Sequence, residues 1–366
     1  MHPNFNREVH CLLGLPFDAL NLASAVQHIR AAATNRTPCF LSTPNLNFLI
    51  ASQSDPAFRN SVINSDLSIA DGMPIVWIAR LLGIPIRERV AGSDLFEQLR
   101  TKSSPRLSVY FFGGMEGVAE SACKTLKTEP SGLICAGFES PGFTTVQEMS
   151  GDESIAKINA SCADFLVVSL GAKKGQAWIE HNRERITVPV ISHLGAVINF
   201  VAGKLNRAPI WIQRNGLEWL WRIKEEPQLR QRYTSDGLVF IKLLLTRVIP
   251  YAWLLYRLKL ARQKTDSATL KFFDNGGEIV IHLSGAWVQN NLMPLRECLS
   301  NPVLAGKNVR IDLEHVTIVD SAFIGLLMLL YGDRKQQEKL LSVGNMKKNI
   351  RLIFRYSCAE FLLDTH

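Results

Sequence analysis

The sequence predicts an α/β protein built on a mostly parallel sheet with helices on both faces. Residues 9 to 200 alternate short apolar runs with helical patterns, which is the order expected of βαβ units. The apolar runs are continuous rather than alternating, as in strands that are buried on both faces. Together these two observations favour a Rossmann-like domain.

Seven apolar runs in this region are predicted strands, namely 9–13, 39–42, 67–70, 107–112, 133–136, 165–170 and 188–192. Five segments between them have a helical pattern, namely 22–33, 73–82, 117–126, 153–159 and 176–185. Ligands of such sheets bind outside the carboxyl ends of the strands, so the polar and glycine-containing turns there should line one cleft.

A chain of 366 residues is long enough for about two domains. We predict a Rossmann-like domain over 1–202, a basic helical appendage over 203–264, a linker over 265–277 and a small α/β domain over 278–366. The seven cysteines are scattered and show no CxxC spacing, which predicts reduced thiols in a cytosolic protein. The N-terminus has no apolar run typical of a signal peptide.

The appendage concentrates the positive charge of the chain. Residues 203–264 contain thirteen basic and four acidic residues, a net charge of +9, whereas the whole chain carries +8. The same stretch holds four of the seven tryptophans. Basic side chains mixed with Trp and Leu are typical of a surface that meets anionic lipid headgroups. The basic residues are Lys204, Arg207, Arg214, Arg222, Lys224, Arg230, Arg232, Lys242, Arg247, Arg257, Lys259, Arg262 and Lys264.

We expect this stretch to lie on a membrane rather than to cross it. Its most apolar part, 238–260, is interrupted by charges and by Pro250, and a charge near the centre of a span costs about 2.5–3.5 kcal/mol on insertion. An amphipathic helix packed on its own domain is the alternative. Nucleic acid is disfavoured as a partner because the segment is rich in Leu and has no known nucleic-acid motif.

Two polar turns supply the candidate catalytic groups. Asp71 follows the third predicted strand of the sheet, where burial can raise the pKa of a carboxyl group towards that of a general base. The same residue could instead cap the helix that begins at Met73. Thr43 and Asn45 follow the preceding strand, and capping is their alternative role as well.

Gly113 and Gly114 follow a further strand and would let backbone N–H groups approach a phosphate. The pair is not the GxGxxG fingerprint, which disfavours a nicotinamide-dependent dehydrogenase. No histidine pairs with Cys or carboxylates at the spacing of metal ligands, and there is no GxSxG or Walker A motif. We therefore predict neither a metal nor a cofactor.

Together with further blocks over residues 8 to 235, these turns resemble the WecG/TagA/CpsF family of bacterial glycosyltransferases. The blocks are Thr43-Pro44-Asn45, Asn64, Ala70-Asp71-Gly72, Arg89-Val90-Ala91-Gly92-Ser93-Asp94-Leu95, Phe111-Phe112-Gly113-Gly114, Pro141-Gly142-Phe143, Leu170-Gly171, Gly203-Lys204-Leu205-Asn206-Arg207-Ala208-Pro209, Gly216-Leu217-Glu218-Trp219-Leu220-Trp221-Arg222, Glu226-Pro227 and Arg232-Tyr233.

The resemblance implies an inverting transfer from a UDP-sugar to a polyprenyl-diphosphate-linked acceptor at the cytoplasmic face of the inner membrane. It implies Asp71 as the base, with Thr43 and Asn45 in the donor pocket and Arg89 near it. It also implies that appendage arginines contact the diphosphate, and these are Arg222, Arg230 and Arg232. Guanidinium groups can stabilise a UDP leaving group without a metal, although simple attraction to lipid would also account for them.

Two stretches depart from the family pattern. The positions that usually hold Gln and Glu after the Leu-Gly turn are Gly175 and Gln176, and the usual Asp-Phe reads Asn199-Phe200. We keep Gln176 as a candidate substrate contact. The departures leave the donor open, and they motivate an alternative in which the protein is a non-catalytic scaffold.

The last unit has predicted strands at 278–283, 309–313 and 350–354, and helical patterns at 321–331 and 332–341. Asp320 and Ser321 stand at a strand-to-helix junction, where the local interpretation is an N-cap. This unit resembles a STAS domain, the fold of anti-sigma-factor antagonists. The resemblance implies Ser321 as a candidate phosphorylation site and a possible protein partner for the domain, and a purely structural role is the alternative.

Overall fold

The computed structural model describes residues 4–101, 105–128, 131–142, 144–205, 208–209, 212, 216, 218–225, 230–260 and 267–363. The side chains of Arg222, Lys259 and Leu260 lie outside this description.

The N-terminal apolar run forms a hairpin rather than a strand of the main sheet. Strand β1 (Val9–Leu12) pairs antiparallel with β2 (Leu15–Asp18). The two residues between them, Leu13 and Gly14, have φ values of 48° and 85°, as a tight type I′ hairpin turn requires. The prediction that residues 9–13 join the parallel sheet was therefore wrong. A Leu-Gly pair lacks the Asn or Asp that normally marks such a turn.

The central sheet has six parallel strands. They are β3 (Cys39–Ser42), β4 (Leu67–Ser68), β5 (Leu107–Gly113), β6 (Leu133–Glu139), β7 (Phe165–Ser169) and β8 (Val190–His193), in the order β4-β3-β8-β7-β5-β6. Along β7, Phe165 and Val167 face one apolar cluster, and Leu166 and Val168 face another. Both faces of the sheet are thus covered, and the predicted parallel architecture is confirmed.

Nine described helices surround the sheet and the hairpin. They are α1 (Leu22–Asn35), α2 (Leu46–Ser54), α3 (Pro56–Ile63), α4 (Met73–Leu82), α5 (Gly92–Thr101), α6 (Val118–Thr128), α7 (Asp152–Ala160), α8 (Ala172–Asn182) and α9 (Val197–Val201). The sequence prediction missed four of them, α2, α3, α5 and α9.

Most of the described appendage is helical. Helix α10 (Glu218–Glu225) is followed by α11 (Arg230–Leu243), which continues through a π-helical turn, Leu244–Val248, into α12 (Ile249–Leu260). Among the described residues, one helix, Arg230–Leu258, is long and apolar enough to span a bilayer by length and composition. Its buried side chains pack against the protein itself: Leu243 and Val248 join the core around the hairpin, and Tyr251 joins that of the C-terminal domain.

The C-terminal domain is a four-stranded sheet with helices. Its strands are β9 (Thr269–Asp274), β10 (Glu278–Trp287), β11 (Asn308–Val319) and β12 (Leu341–Gly344), in the order β12-β11-β10-β9, and only β9 is antiparallel to its neighbour. Its helices are α13 (Met293–Leu299), α14 (Ser321–Gln336) and α15 (Lys348–Tyr356).

Three predictions for this domain need correction. Residues 350–354 belong to helix α15 rather than a strand, because Ile350, Ile353 and Phe354 are buried at helical spacing. The helix predicted to continue over 332–341 stops at Gln336, and strand β12 begins at Leu341. Strand β9 also lies within the stretch predicted to be a linker, where its pairing with β10 outweighs the polar and Gly-containing composition of the stretch.

One hydrophobic core joins the C-terminal domain to the rest of the protein. Val9 and Cys11 of β1, Ile63 of α3 and Tyr251 of α12 pack in the same cluster as the buried side chains of α14. The two domains therefore share apolar contacts and are not joined by a linker alone.

The structure also corrects the prediction for the cysteines. Cys123 of α6 and Cys135 of β6 form a disulfide, with their Cα atoms 5.2 Å apart. A separation of twelve residues gave no sign of it in the sequence. The other five cysteines are free thiols, and Cys162 is the exposed one among them.

Candidate active site

The candidate site lies at the carboxyl ends of the parallel strands. Thr43 follows β3, Asp71 stands three residues after β4, and Gly113 ends β5. Parallel strands bring these ends to one edge of the sheet, which is why residues far apart in sequence meet there.

Asp71 is held by backbone groups from two other segments. Its N–H donates to the Pro44 carbonyl at 3.0 Å, and its Oδ2 lies 3.5 Å from the Gly92 nitrogen, which donates to it. The residue before α4 that acts as its N-cap is Gly72, with no side-chain cap. The alternative in which Asp71 caps this helix is therefore not what the structure adopts.

Burial raises the pKa of Asp71 to about 6. The positive charge of Arg89 opposes this shift, and the negative charge of Glu218 adds to it. A carboxyl group with a pKa near 6 is ionised at neutral pH and is a stronger base than an ordinary aspartate. This is the electrostatic setting that the sequence analysis predicted for Asp71.

Arg89 bridges the cleft to the appendage. Its Nη2 donates to Asp94 Oδ2 at 2.7 Å, and its Nη1 donates to Glu218 Oε2 on α10. Its side chain is 11% exposed, whereas those of Asp94 and Glu218 are 23% and 33% exposed, so these pairs are only partly shielded from water. The predicted position of Arg89 near Asp71 is consistent with their electrostatic interaction, but its guanidinium group is engaged by two carboxylates.

Sequence reasoning assigned no role to Asp94, Glu218 or Gly92. All three stand in blocks that carry the family resemblance, so they were within reach of the sequence, but their pairing with Arg89 and Asp71 depends on the fold. A Cβ at Gly92 would lie 2.5 Å from Leu194 Cδ2 and 3.4 Å from Thr43 Cγ2. The turn around Gly92 is therefore packed tightly against the ends of β3 and β8.

Thr43 and Asn45 occupy the turn after β3. Thr43 is buried and adjoins Gly92. The Asn45 side chain accepts a hydrogen bond from the Phe48 N–H at 3.2 Å and caps α2. The capping alternative for Asn45 therefore holds, and its contact with a donor sugar stays a prediction.

Gly113 and Gly114 pack closely on the end of β7. A Cβ at Gly113 would lie 2.7 Å from the Ser169 carbonyl oxygen, and the Gly114 N–H donates to that same oxygen at 2.8 Å. The Gly114 amide is thus already used within the protein. This corrects the expectation that both amides face a phosphate.

Two of the positions that depart from the family pattern, Gly175 and Gln176, are buried in α8. Gln176 is fully buried, its Nε2 donates to Ser42 Oγ at 2.9 Å, and its Oε1 has no partner among the described residues. A Cβ at Gly175 would lie 2.2 Å from the His193 ring, so glycine makes room for that histidine. Burial lowers the pKa of His193 to about 4 and keeps the ring neutral. The substrate contact of Gln176 stays a prediction.

The structure describes the side chains of two of the three candidate appendage arginines. Arg230 and Arg232 are exposed on α11, and Arg232 lies over the Tyr233 ring at 5.3 Å. Asp236, one turn later, accepts a hydrogen bond from Asn47 Nδ2 at 3.0 Å. This contact joins the middle of α11 to the first turn of α2, directly after the turn that follows β3. The Arg222 side chain lies outside the described residues.

Ser321 is buried at the start of α14. Its Oγ lies 3.0 Å from His10 Nδ1 of β1, and Asp320 caps the helix by accepting from the Ala322 and Phe323 N–H groups. The predicted cap is confirmed in Asp320. A kinase would reach Ser321 only after the hairpin moved, and its phosphorylation stays a prediction.

A cavity of about 590 Å³ lies elsewhere, at the amino ends of β3 and β4 beside α14. Arg7 pairs there with Asp18 at 2.7 Å, and Arg183 lies 3.6 Å from Asp66. Its main charges are already matched within the protein, so we do not place the substrate there. Within the described part of the chain, no cluster of three or more His, Cys, Asp or Glu could hold a metal ion.

Comparison with known families places the chain among the glycosyltransferases. The model of the WecG/TagA/CpsF glycosyl transferase family matches residues 10–252, which is more than half of the chain, and that of the Mlab STAS domain matches residues 272–363. The protein belongs to the WecG/TagA/CpsF family and carries a STAS domain at its C-terminal end.

Several bacterial relatives are N-acetylglucosaminyldiphosphoundecaprenol N-acetyl-β-D-mannosaminyltransferases. The Bacillus spizizenii enzyme is 28% identical over 60% of this chain and 85% of its own length. The Bacillus subtilis enzyme is 24% identical over the same shares, and that of Staphylococcus aureus is 23% identical over 58% and 82%. A GTP-binding protein from Sulfolobus solfataricus aligns with 70% of this chain and 89% of its own at 8% identity and a TM-score of 0.16, too low to indicate a shared fold.

Proposed function

We propose that the protein is an inverting glycosyltransferase that moves an N-acetylhexosamine from a UDP-sugar to a polyprenyl-diphosphate-linked saccharide. The observation that carries the proposal is the setting of Asp71, a half-buried carboxyl group at the carboxyl end of β4 with its pKa raised to about 6 by burial. The names of the relatives, which describe an N-acetylmannosamine transfer to such an acceptor, support the substrate classes.

In this reaction a hydroxyl oxygen of the acceptor attacks the anomeric carbon of the donor sugar. The bond from that carbon to the UDP oxygen breaks with inversion, and the hydroxyl proton passes to Asp71. General base catalysis of this kind contributes about 10²–10⁴-fold to a rate. The departing diphosphate carries the negative charge that develops.

Arginines of the appendage would balance that charge. Arg89 is already paired with Asp94 and Glu218, so we assign it the task of holding α10 over the cleft. Arg230 and Arg232 are exposed on the helix whose Asp236 contacts Asn47 beside the cleft, and with Arg222 they are the candidates for the diphosphate. Guanidinium groups suit this role because they form charge-assisted hydrogen bonds to phosphate oxygens.

The appendage would also place the cleft at the cytoplasmic face of the inner membrane. Six large apolar side chains are exposed along α11 and α12 at intervals of three or four residues, and these are Leu238, Ile241, Leu245, Ile249, Trp253 and Tyr256. They form one stripe, because such intervals return to the same helix face.

The opposite face of this helix supports an in-plane orientation. Leu243, Val248 and Tyr251 are buried against the protein in the middle of the helix. A helix held in this way can lie in the interface with its apolar stripe among the lipids. To cross the bilayer, this helix would have to lose its packing contacts with both domains.

Product analysis tests the proposal. The purified full-length protein is incubated with a panel of UDP-sugars and a polyprenyl-diphosphate-linked N-acetylglucosamine acceptor, and the lipid product is weighed by mass spectrometry. We expect one sugar residue to be added from one donor of the panel. The absence of product with every donor, together with undetectable UDP-sugar binding by calorimetry, would overturn it in favour of a scaffold.

A further inference from the structure

Helix α14 of the STAS domain lies directly against the N-terminal hairpin. A Cβ at Gly325 would stand 2.4 Å from the carbonyl oxygen of Val9, so only glycine allows this approach of helix and strand. One turn earlier, Ser321 Oγ lies 3.0 Å from His10 Nδ1 in a buried contact. The STAS domain therefore fixes the position of β1 through backbone packing and a polar contact.

The hairpin in turn holds the strand that leads to Asp71. Val9 pairs with Asp18 in the hairpin register, and Asp18 Oδ2 accepts a hydrogen bond from the Ser68 N–H at 2.7 Å. Ser68 Oγ also donates to the Pro16 carbonyl at 2.7 Å. Ser68 stands three residues before Asp71.

Strand β4 needs such support because it is short and lies at the edge of the sheet. It has two residues and pairs on one side only, with β3. Unpaired backbone groups on an edge strand are otherwise left to water or to local unfolding. Asp18 and Pro16 occupy the positions of the missing neighbour.

We propose that the STAS domain positions the candidate base. Helix α14 packs on the hairpin and so keeps Asp18 in contact with Ser68. This contact in turn holds β4 and the turn that carries Asp71. Gly325, His10 and Asp18 are positioning residues in this scheme. None of them touches the substrate.

The substitution Gly325→Ala tests whether α14 supports β4 through the hairpin, with Gly277→Ala as its matched control. A Cβ at position 325 must displace the Val9 backbone, whereas a Cβ at position 277 meets nothing within 4 Å. Alanine stabilises a helix interior by about 1 kcal/mol relative to glycine, so helix propensity favours the Gly325→Ala variant. If β4 becomes less stable in that variant, the cause would therefore be the displaced hairpin and not a less stable α14.

The first measurement is hydrogen–deuterium exchange of the amides of residues 66–72 in the full-length protein. We expect exchange there to rise at least tenfold in Gly325→Ala and to stay unchanged in Gly277→Ala. Unchanged exchange in a folded Gly325→Ala protein would overturn the proposal. Ser321→Ala, a milder change that removes only the contact with His10, should raise the same exchange about threefold. If Gly325→Ala fails to fold, unchanged exchange in Ser321→Ala overturns the proposal instead.

The second measurement is kinetic, and it is the only one of the two that rests on the proposed glycosyl transfer. We expect kcat of Gly325→Ala to fall about tenfold while KM for the donor stays within twofold, because the base moves and the donor pocket does not. A rise in KM with unchanged kcat would contradict a role in positioning the base. If the wild-type protein transfers no sugar, the proposed function fails. The exchange measurement still decides whether α14 supports β4 through the hairpin.

Discussion

Asp71 Oδ2 accepts a hydrogen bond from the Gly92 N–H at 3.5 Å, and a Cβ at Gly92 would lie 2.5 Å from Leu194 Cδ2. The carboxyl group that we propose as the base is thus held by the first residue of α5, which packs against the end of β8. Four predictions test this site and its surroundings.

The first prediction concerns the base itself. Asp71→Asn keeps the size of the side chain and removes its ability to accept a proton. We expect kcat to fall by about 10²–10⁴-fold, the usual contribution of a general base, while UDP-sugar binding measured by calorimetry changes little. A variant with full activity would show that another group takes the proton.

The second prediction is a pH dependence with a definite sign. Asp71 must be ionised to act as a base, so kcat/KM should rise with pH through a midpoint near 6. A raised pKa also means that the folded protein binds this proton more tightly than the unfolded chain, whose Asp pKa is about 3.9. The stabilisation is therefore present below pH 4 and lost as the pH rises through about 6.

Asp71→Asn should accordingly raise Tm relative to the wild type at pH 7.5, and this gain should shrink towards pH 4.5. Differential scanning calorimetry at the two pH values measures it. An equal Tm difference at both pH values would argue against a raised pKa.

The third prediction concerns the contact between the cleft and the appendage. Glu218 raises the pKa of Asp71, and Arg89 lowers it. Replacing Glu218 by Gln removes the negative charge and frees Arg89, so the midpoint of the kcat/KM profile should move to lower pH. The control is Glu225→Gln, the same change of charge on the same helix α10. A shift of equal size in both variants would indicate a general charge effect and not the contact with Arg89.

The fourth prediction tests the apolar stripe. Leu245 on the stripe is 61% exposed, and Leu340 in the STAS domain is 71% exposed. Leu245→Glu should weaken sedimentation with anionic vesicles at least tenfold, because burying a leucine contributes about 1.5–3 kcal/mol and the new charge repels the lipid. Leu340→Glu makes the same chemical change away from the stripe and should have no effect. Equal losses in the two variants would exclude the stripe as the membrane contact.

The sequence by itself determined the parallel architecture and pointed to the position of the candidate base. The bounds of β3 and α4 agree with their apolar patterns, because burial on both sides of a sheet or along one helix face leaves a local signature. The Asp-Gly turn after β4 was recognisable for a similar reason, since the end of a buried strand marks where a cleft opens. The family resemblance added expected roles for residues that no pattern could assign.

Only the tertiary structure decided what surrounds that base. The pKa of Asp71 depends on burial and on Arg89 and Glu218, which lie far apart in the sequence. The hairpin was missed because its turn has no common signal, and helix α15 was mistaken for a strand because a short apolar run fits both periods. The burial of Ser321 against His10 is a contact between residues 311 positions apart. Such contacts follow from the packing of whole elements, which no local pattern encodes.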